Sequence, residues 1–178
     1  MLEQRLTTAG RDAMVALGSR LAGLLRAGDV VVLNGELGAG KTTMTQGIGA
    51  GLGVRGPITS PTFVIARVHP SLTEGPQLVH VDAYRLGSIA EVDDLDLDAT
   101  LESAVTVVEW GEGMVDELSS DRLEIWIGRP RGARLAGPDG DPDPDELSAD
   151  EPRTVLMRGV GSRWSDVRWP ADELSPAP

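Results

Sequence analysis

Cysteine is absent from the 178 residues, so disulfide bonds and thiolate metal sites are excluded. The chain has one Phe and one Tyr, and its core must therefore consist mainly of Val, Leu, Ile and Ala. No apolar run approaches the ~20 residues that a transmembrane helix needs. The first residues also lack the apolar segment of a signal peptide. We therefore expect a cytoplasmic protein without membrane contact.

Basic residues are scarce as well. The 16 Lys and Arg residues stand against 28 Asp and Glu, which gives a formal net charge of −12 and a pI near 4.5. Proteins that bind nucleic acid directly contact its phosphates with clustered Lys and Arg side chains. A surface with this charge repels a polyanion, so the composition argues against nucleic acid as a direct partner. The acidity is better interpreted as a source of solubility than as a docking feature.

What the chain does contain is a phosphate-loop motif, GELGAGKT, over residues 35–42. A short apolar run, residues 29–33, precedes it and is typical of a strand buried on both faces. A segment with helical spacing, residues 41–52, follows it. In such a loop the backbone N–H groups face phosphate oxygens, Lys41 reaches the β- and γ-phosphates, and Thr42 ligates Mg²⁺. A plain glycine-rich turn needs neither the Lys nor the Thr, so the motif indicates nucleotide binding.

The helix after the loop contains an unusual series of glycines. Gly47, Gly49 and Gly51 alternate through it, and each costs about 1 kcal/mol relative to alanine in a helix interior. Two interpretations stay open: the glycines allow close packing of the helix on the sheet, or the helix is loose until nucleotide orders it. Gly53 is expected to end the helix.

Apolar patterns predict the other elements of an α/β fold. Helices are predicted over residues 12–26, 91–98 and 112–118, and strands over 63–68, 78–82, 105–110, 123–127 and 154–158. The short connection between the strands at 63–68 and 78–82 predicts antiparallel neighbours.

The domain organisation follows from composition. Residues 128–152 are rich in Pro, Gly and Asp and are predicted to form a mobile acidic loop inserted between two edge strands. We expect a single domain over residues 1–160 and a C-terminal tail over 161–178.

Two carboxylates are candidates for the chemistry. Asp82 and Glu109 each lie at the end of an apolar strand. The carboxyl ends of the strands in a parallel sheet meet at the edge where ligands bind. A phosphate-loop enzyme needs one acid for the Mg²⁺ shell and often a second to orient water. The alternative is that both face solvent. Trp110 either contacts the adenine or is simply packed, and His80, inside an apolar strand, is interpreted as a core histidine. Arg85 either stabilises transition-state charge or pairs with an acid.

Motifs that are missing narrow the class of enzyme. The sequence has no Asn-Lys-x-Asp run for guanine, no Leu-Ser-Gly-Gly-Gln run of transporter ATPases and no arginine-rich lid of a nucleotide kinase. The leading hypothesis is an ATPase that changes the conformation of a protein complex. The alternatives are a small-molecule kinase in which Asp82 acts as base, and a nucleotide-gated adaptor whose hydrolysis is incidental.

Four motifs in order resemble the TsaE family of bacterial tRNA threonylcarbamoyladenosine biosynthesis. They are ELGAGKTT at 36–43, SPTF at 60–63, HVDAYRL at 80–86 and VEW at 108–110. The resemblance covers about residues 12–127. It implies a P-loop NTPase-type three-layer sandwich with a mixed, centrally parallel sheet. One departure is Ala13-Met14, which stands where the family commonly has a Glu-Thr pair near the nucleotide.

The resemblance also implies a function. Members of this family bind ATP and Mg²⁺ and hydrolyse ATP slowly alone. Their partners are the TsaD and TsaB proteins, which transfer the threonylcarbamoyl group to tRNA, so that tRNA is contacted only indirectly. The ATPase cycle is expected to regulate or reset that complex.

The motifs assign roles to individual residues. The implied catalytic residues are Asp82, Glu109 and Lys41, and the implied metal-associated residues are Thr42, Glu109 and Asp82. The implied nucleotide-binding residues are Gly35, Glu36, Leu37, Gly38, Ala39, Gly40, Lys41, Thr42, Thr43 and Trp110. The implied switch loop is Ser60, Pro61, Thr62 and Phe63.

The acidic loop gives a first test. Deleting residues 133–150 should leave both cooperative unfolding and ATPase activity intact, because a stretch of this composition cannot contribute to the core. Thermal unfolding and phosphate release of the deletion variant check this. Loss of cooperative unfolding would show that the stretch is part of the folded domain.

Overall fold

The computed structural model describes residues 2–61, 65–83, 102–110, 119–129 and 151–167. The elements in chain order are β1 (Leu2–Thr8), α1 (Arg11–Ala22), β2 (Val30–Asn34), α2 (Lys41–Leu52), β3 (Ala66–His69), β4 (Gln77–Asp82), β5 (Ala104–Glu109), β6 (Arg122–Gly128) and β7 (Arg153–Val160), followed by a short 3₁₀ helix (Ser162–Trp164). Within these ranges no helix is long and apolar enough to cross a bilayer.

Within the described residues the strands form one seven-stranded sheet in the order β1-β7-β6-β2-β5-β4-β3. Its four central strands, β6, β2, β5 and β4, are parallel. Strands β7 and β1 extend the sheet antiparallel on one side, and β3 extends it antiparallel on the other. The predicted α/β fold of the P-loop NTPase type, with a mixed and centrally parallel sheet, is confirmed. The antiparallel pairing of the strands around residues 66–69 and 77–82 is confirmed too.

The central strand β2 is buried along its whole length, as its apolar sequence predicts. Val31 and Leu33 face the larger core, which also contains the apolar sides of α1 and α2. Val30 and Val32 face a second, smaller cluster on the opposite side of the sheet. Both helices therefore form a single layer on one face. The helices predicted over 91–98 and 112–118 lie outside the described residues, so the third layer of the sandwich stays a prediction.

Helix α2 packs closely against α1, and the glycines are the reason. A Cβ atom on Gly18 would lie 3.0 Å from the Cα of Gly47, and one on Gly47 would collide with the carbonyl oxygen of Val15. A Cβ on Gly51 would lie 2.6 Å from the Ser19 carbonyl oxygen. The close approach is thus between two helices, whereas one of the two interpretations of the sequence had α2 packing closely on the sheet. Helix α2 ends, as predicted, at a Gly53 in the left-handed conformation.

Strand β1 is an element that sequence patterns missed, because its seven residues, LEQRLTT, show little apolar character. Its position is fixed by antiparallel pairing with β7, in which Leu6 lies opposite Val155. This pairing also corrects the expectation that the acidic insertion joins two edge strands. Strands β6 and β7 are antiparallel neighbours, but β2 flanks β6 and β1 flanks β7. Residues 130–150 of that insertion lie outside the described residues.

The chain continues to pack on the domain beyond β7. Trp164 is buried in the larger core. Its neighbour Arg163 donates to both carboxylate oxygens of Asp29, at 3.0 and 2.9 Å, and to the carbonyl oxygen of Leu24 at 2.7 Å. The residues directly after Val160 therefore close the amino-terminal end of β2, although the sequence assigned them to a tail.

The helix–helix contact can be tested by adding one methyl group. Gly47→Ala should lower the free energy of unfolding by about 2 kcal/mol, because the new Cβ forces α1 and α2 apart. Gly128→Ala is the matched control, since nothing lies within 4 Å of a Cβ at that position. Denaturant unfolding of both variants checks the difference. Equal stability of the two variants would contradict the close packing.

Candidate functional site

Three parallel strands end beside the phosphate loop. Glu109, the last residue of β5, is paired with Leu33 of β2 on one side and with Asp82, the last residue of β4, on the other. The loop begins directly after β2 and lies at the same edge. Together these segments form a pocket of about 370 Å³. It is lined by Leu37, Gly38, Gly40, Lys41, Thr42, Thr43, Ser60, Asp82, Glu109 and Trp110.

The loop has the conformation that its glycines permit. Gly38 and Gly40 adopt φ angles of 74° and 110°, which side chains with a Cβ rarely adopt. Helix α2 begins at the next residue, Lys41, so the positive end of its dipole is directed at the pocket. A loop of this kind at a helix N-terminus is suited to phosphate groups.

The loop residues that do not line the pocket contact Lys41 or pack in the core. Gly35 and Glu36 are not among its lining residues, but their carbonyl oxygens accept hydrogen bonds from Lys41 Nζ at 2.8 and 3.1 Å. Ala39 is buried in the larger core. Met14 of α1, from the pair that departs from the family pattern, packs beneath the loop, with its Cε 3.7 Å from the position of a Cβ on Gly40.

Lys41 is the only lysine in the chain. Besides its two carbonyl partners, its ammonium lies 3.6 Å from the centre of the Trp110 ring, which is a cation–π contact. Burial lowers the pKa of Lys41 below its usual value, and the negative charges of Glu109 and Asp82 oppose that shift. The site thus holds a cation against an aromatic face, with two carboxylates near enough to affect its pKa.

Glu109 is almost completely buried, and its carboxylate lies within hydrogen-bond distance of two side chains. The Thr42 hydroxyl donates to Oε1 at 3.0 Å and lies 3.3 Å from Oε2. The imidazole Nε2 of His80 lies 2.8 Å from Oε1. A histidine that the sequence placed in the core is thus in direct contact with a candidate metal ligand. The available signal was its position two residues before Asp82, which puts both side chains on the same face of β4.

Asp82 is buried as well and lies on the far side of Glu109 from β2. The Ser60 hydroxyl donates to its Oδ2 at 3.3 Å, which brings the start of the predicted switch loop into the site. Pro61 is buried and its carbonyl oxygen accepts from the Ile65 N–H at 2.8 Å. The other two residues of that loop, Thr62 and Phe63, and also Arg85, lie outside the described residues.

Trp110 has an unusual backbone. Its φ of 62° lies in the left-handed region, which is unfavourable for a bulky residue. Its N–H donates to the Leu33 carbonyl oxygen at 2.9 Å, so the turn is fixed to the end of β2. This turn directs the ring towards Lys41. Contact of the ring with an adenine stays a prediction.

A cation that sequence reasoning did not single out also lies at the loop. Arg129 follows β6, the parallel neighbour of β2, and its Nη2 lies 3.4 Å from the position of a Cβ on Gly38. A cationic residue directly after a strand parallel to β2 was the signal that was available.

The oxygen donors of the pocket fit a magnesium ion. Thr42 supplies a hydroxyl, and Glu109 and Asp82 supply carboxylates, which are the ligands that Mg²⁺ prefers. No group of three or more His, Cys, Asp or Glu side chains that could hold a metal alone occurs in the described part of the chain. Mg²⁺ usually takes only one or two carboxylates and completes its shell with water and substrate phosphates. The residues present therefore suit an ion that binds together with a nucleotide.

Comparison with known proteins decides the family. The family model for the threonylcarbamoyl adenosine biosynthesis protein TsaE matches residues 8–135. The chain belongs to the TsaE family. The tRNA threonylcarbamoyladenosine biosynthesis protein TsaE of Streptomyces coelicolor is 60% identical over 153 residues, covering 85% of this chain and 94% of the relative. Its counterpart in Bacillus subtilis is 31% identical over 177 residues, covering 98% and 96%.

A solved structure supports the same fold. The crystal structure of Bacillus subtilis YdiB superposes with a TM-score of 0.64 at 29% identity. The match covers 92% of this chain and 89% of that chain. The resemblance read from four short motifs is thereby confirmed as membership of the TsaE family and as its fold.

A single lysine allows a direct test of the electrostatics. With ¹³C-labelled lysine, one side-chain resonance should titrate with a midpoint below the usual value of 10.5, because burial disfavours the charged ammonium. Glu109→Gln should lower the midpoint further, since it removes a negative charge that raises this pKa. A midpoint at or above the usual value in the wild-type chain would contradict the burial of the ammonium.

Proposed function

We propose that this TsaE-family chain is a cytoplasmic Mg²⁺-dependent ATPase required for the threonylcarbamoyladenosine modification of tRNA. The observation that carries the proposal is the hydrogen bond from Thr42 to Glu109 beneath the phosphate loop. It joins the two groups that a phosphate-loop ATPase needs for its metal, a hydroxyl at the helix start and an acid at a strand end. The names of the curated relatives support the role in tRNA modification.

Each residue of the pocket has a task in this proposal. The loop N–H groups and Lys41 bind the phosphates, and Lys41 exchanges its carbonyl partners for phosphate oxygens. Thr42 and Glu109 hold the Mg²⁺, with Asp82 supporting its shell. When bound, that ion neutralises charge on the phosphate oxygens. Either Asp82 or Glu109 orients the attacking water, because both carboxylates line the same pocket.

The output of hydrolysis is a change in a protein complex. A net charge of −12 disfavours direct contact with tRNA, so the nucleotide state of this chain acts on partners that hold the tRNA. We propose TsaD and TsaB as these partners, with this chain regulating or resetting the transferase rather than transferring the group itself. Ser60 gives a physical link, since it touches Asp82 in the site and begins the predicted switch loop.

Phosphate release from ATP tests the proposal. The purified chain with Mg²⁺ should hydrolyse ATP slowly, and adding TsaD and TsaB together should raise the rate. Glu109→Gln should abolish hydrolysis while ATP still binds, because the phosphate contacts are kept. Lys41→Ala should lose most ATP affinity, because a charge-assisted phosphate contact is removed.

The controls separate the alternatives. Arg11→Ala removes an exposed cation that bonds Gln46 on the outside of the helices and should leave both measurements unchanged. Transfer of phosphate to a small molecule instead of water would favour a kinase. Wild-type ATP affinity in Lys41→Ala would contradict the position of the site. A rate of ATP hydrolysis that does not change when TsaD and TsaB are added would contradict the regulatory role.

A further inference from the structure

His80 is buried like a core residue, but it also makes a polar contact with the candidate site. Its imidazole is completely buried, and its ring contacts the nearly buried carboxylate of Glu109 at 2.8 Å. Among the described residues its other ring nitrogen, Nδ1, has no hydrogen-bond partner. Burying a polar group without a partner costs free energy, and an apolar side chain would avoid that cost. The imidazole therefore carries a cost that its contact with Glu109 has to offset.

The contact constrains Glu109 in a way that Thr42 alone does not. A carboxylate accepts but does not donate, so Nε2 of His80 carries the proton in this bond. The terminal torsion of a glutamate has a broad energy profile, and a single donor leaves it free to turn. Two donors from different elements, Thr42 of α2 and His80 of β4, meet at Oε1, and Thr42 also lies 3.3 Å from Oε2, so together they fix the orientation of the carboxylate.

The two donors differ in what else they do. Thr42 lines the pocket and is itself a proposed ligand of the Mg²⁺. His80 is not among the lining residues and touches the carboxylate from the interior of the sheet. A ligand in the pocket therefore does not have to displace His80 from Glu109. Partners of this kind behind a metal ligand affect metal affinity or activity by about 10–100-fold.

We propose that His80 is a positioning residue that orients the Glu109 carboxylate towards the Mg²⁺ of a bound nucleotide. The inference rests on the proposed function and deepens it. The strand geometry supplies the arrangement: β4 and β5 are parallel neighbours, with His80 beside Val107 and Asp82 beside Glu109. His80 and Asp82 alternate along β4, and both therefore lie next to Glu109: His80 through its ring contact and Asp82 as the neighbour in the sheet.

His69 provides a matched control. It is the other histidine of the chain and is also buried, on β3, where it lies opposite Leu78 of β4. Its Nδ1 lies 3.3 Å from the Arg55 carbonyl oxygen, and its Nε2 has no partner in the described part of the chain. It therefore matches His80 in burial and in having one unpaired ring nitrogen, but within the described residues it forms no hydrogen bond with either carboxylate of the site.

The test measures binding of a fluorescent ADP as Mg²⁺ is titrated, together with ATPase kinetics. His80→Leu should raise the Mg²⁺ concentration for half-maximal binding by about tenfold and lower kcat at least as much. Nucleotide affinity without Mg²⁺ should stay at the wild-type level. His69→Leu should leave the Mg²⁺ dependence unchanged, and His80→Gln, whose amide nitrogen reaches the position of Nε2, should restore most of it.

A second pair of variants keeps the test decisive if His80→Leu fails to fold. His80→Asn is also polar, but its amide reaches only the position of Nδ1. Impaired Mg²⁺ dependence in the Asn variant with near-wild-type behaviour in the Gln variant supports the inference, and equal behaviour of the two overturns it. Wild-type Mg²⁺ dependence in a folded His80→Leu variant also overturns this inference but leaves the proposed function intact. Absence of Mg²⁺ dependence in the wild-type chain overturns the proposed function with it.

Discussion

The hydrogen bond between the Thr42 hydroxyl and the Glu109 carboxylate is the contact on which the site depends. It joins the first turn of α2 to the last residue of β5, two segments that are far apart in sequence. The bond requires that β5 lie parallel to β2 and end at the same edge, which their register provides. The position of the loop, the burial of the acid and the approach of His80 all follow from that parallel pairing.

Electrostatics explains how a strongly acidic chain forms a pocket suited to phosphate. The single lysine lies at the start of α2, where the helix dipole adds to its charge. Glu109 and Asp82 raise the pKa of Lys41 and so oppose the effect of burial. The same two carboxylates offer oxygen atoms to a divalent cation. The site therefore combines a positive region suited to phosphate oxygens with carboxylates suited to the metal proposed to accompany them.

Much of this arrangement was predictable because its signals are local. The spacing of residues 35–42, the apolar run before them and an acid at the end of each of two strands predicted the loop, β2 and the two carboxylates. The contact of His80 with Glu109 was signalled only in part, because the position of His80 two residues before Asp82 gives its face of β4 but not which strand lies beside β5. Strand β1 was missed for the same reason: its residues show little pattern, and pairing with β7 alone fixes its position. The glycines of α2 were noticed, but their partner, α1, emerged only from tertiary packing.

The pairing of the first strand with the last has a consequence for how the chain folds. Strand β1 begins at Leu2, and its partner β7 ends at Val160, so this edge of the sheet joins residues more than a hundred positions apart. Contacts between such distant residues close large loops and slow the folding of a domain. During synthesis β1 has no partner strand until residues 153–160 have left the ribosome. The nascent chain therefore carries an unpaired strand through most of its translation, and the sheet is completed only after the residues that line the pocket have been synthesised.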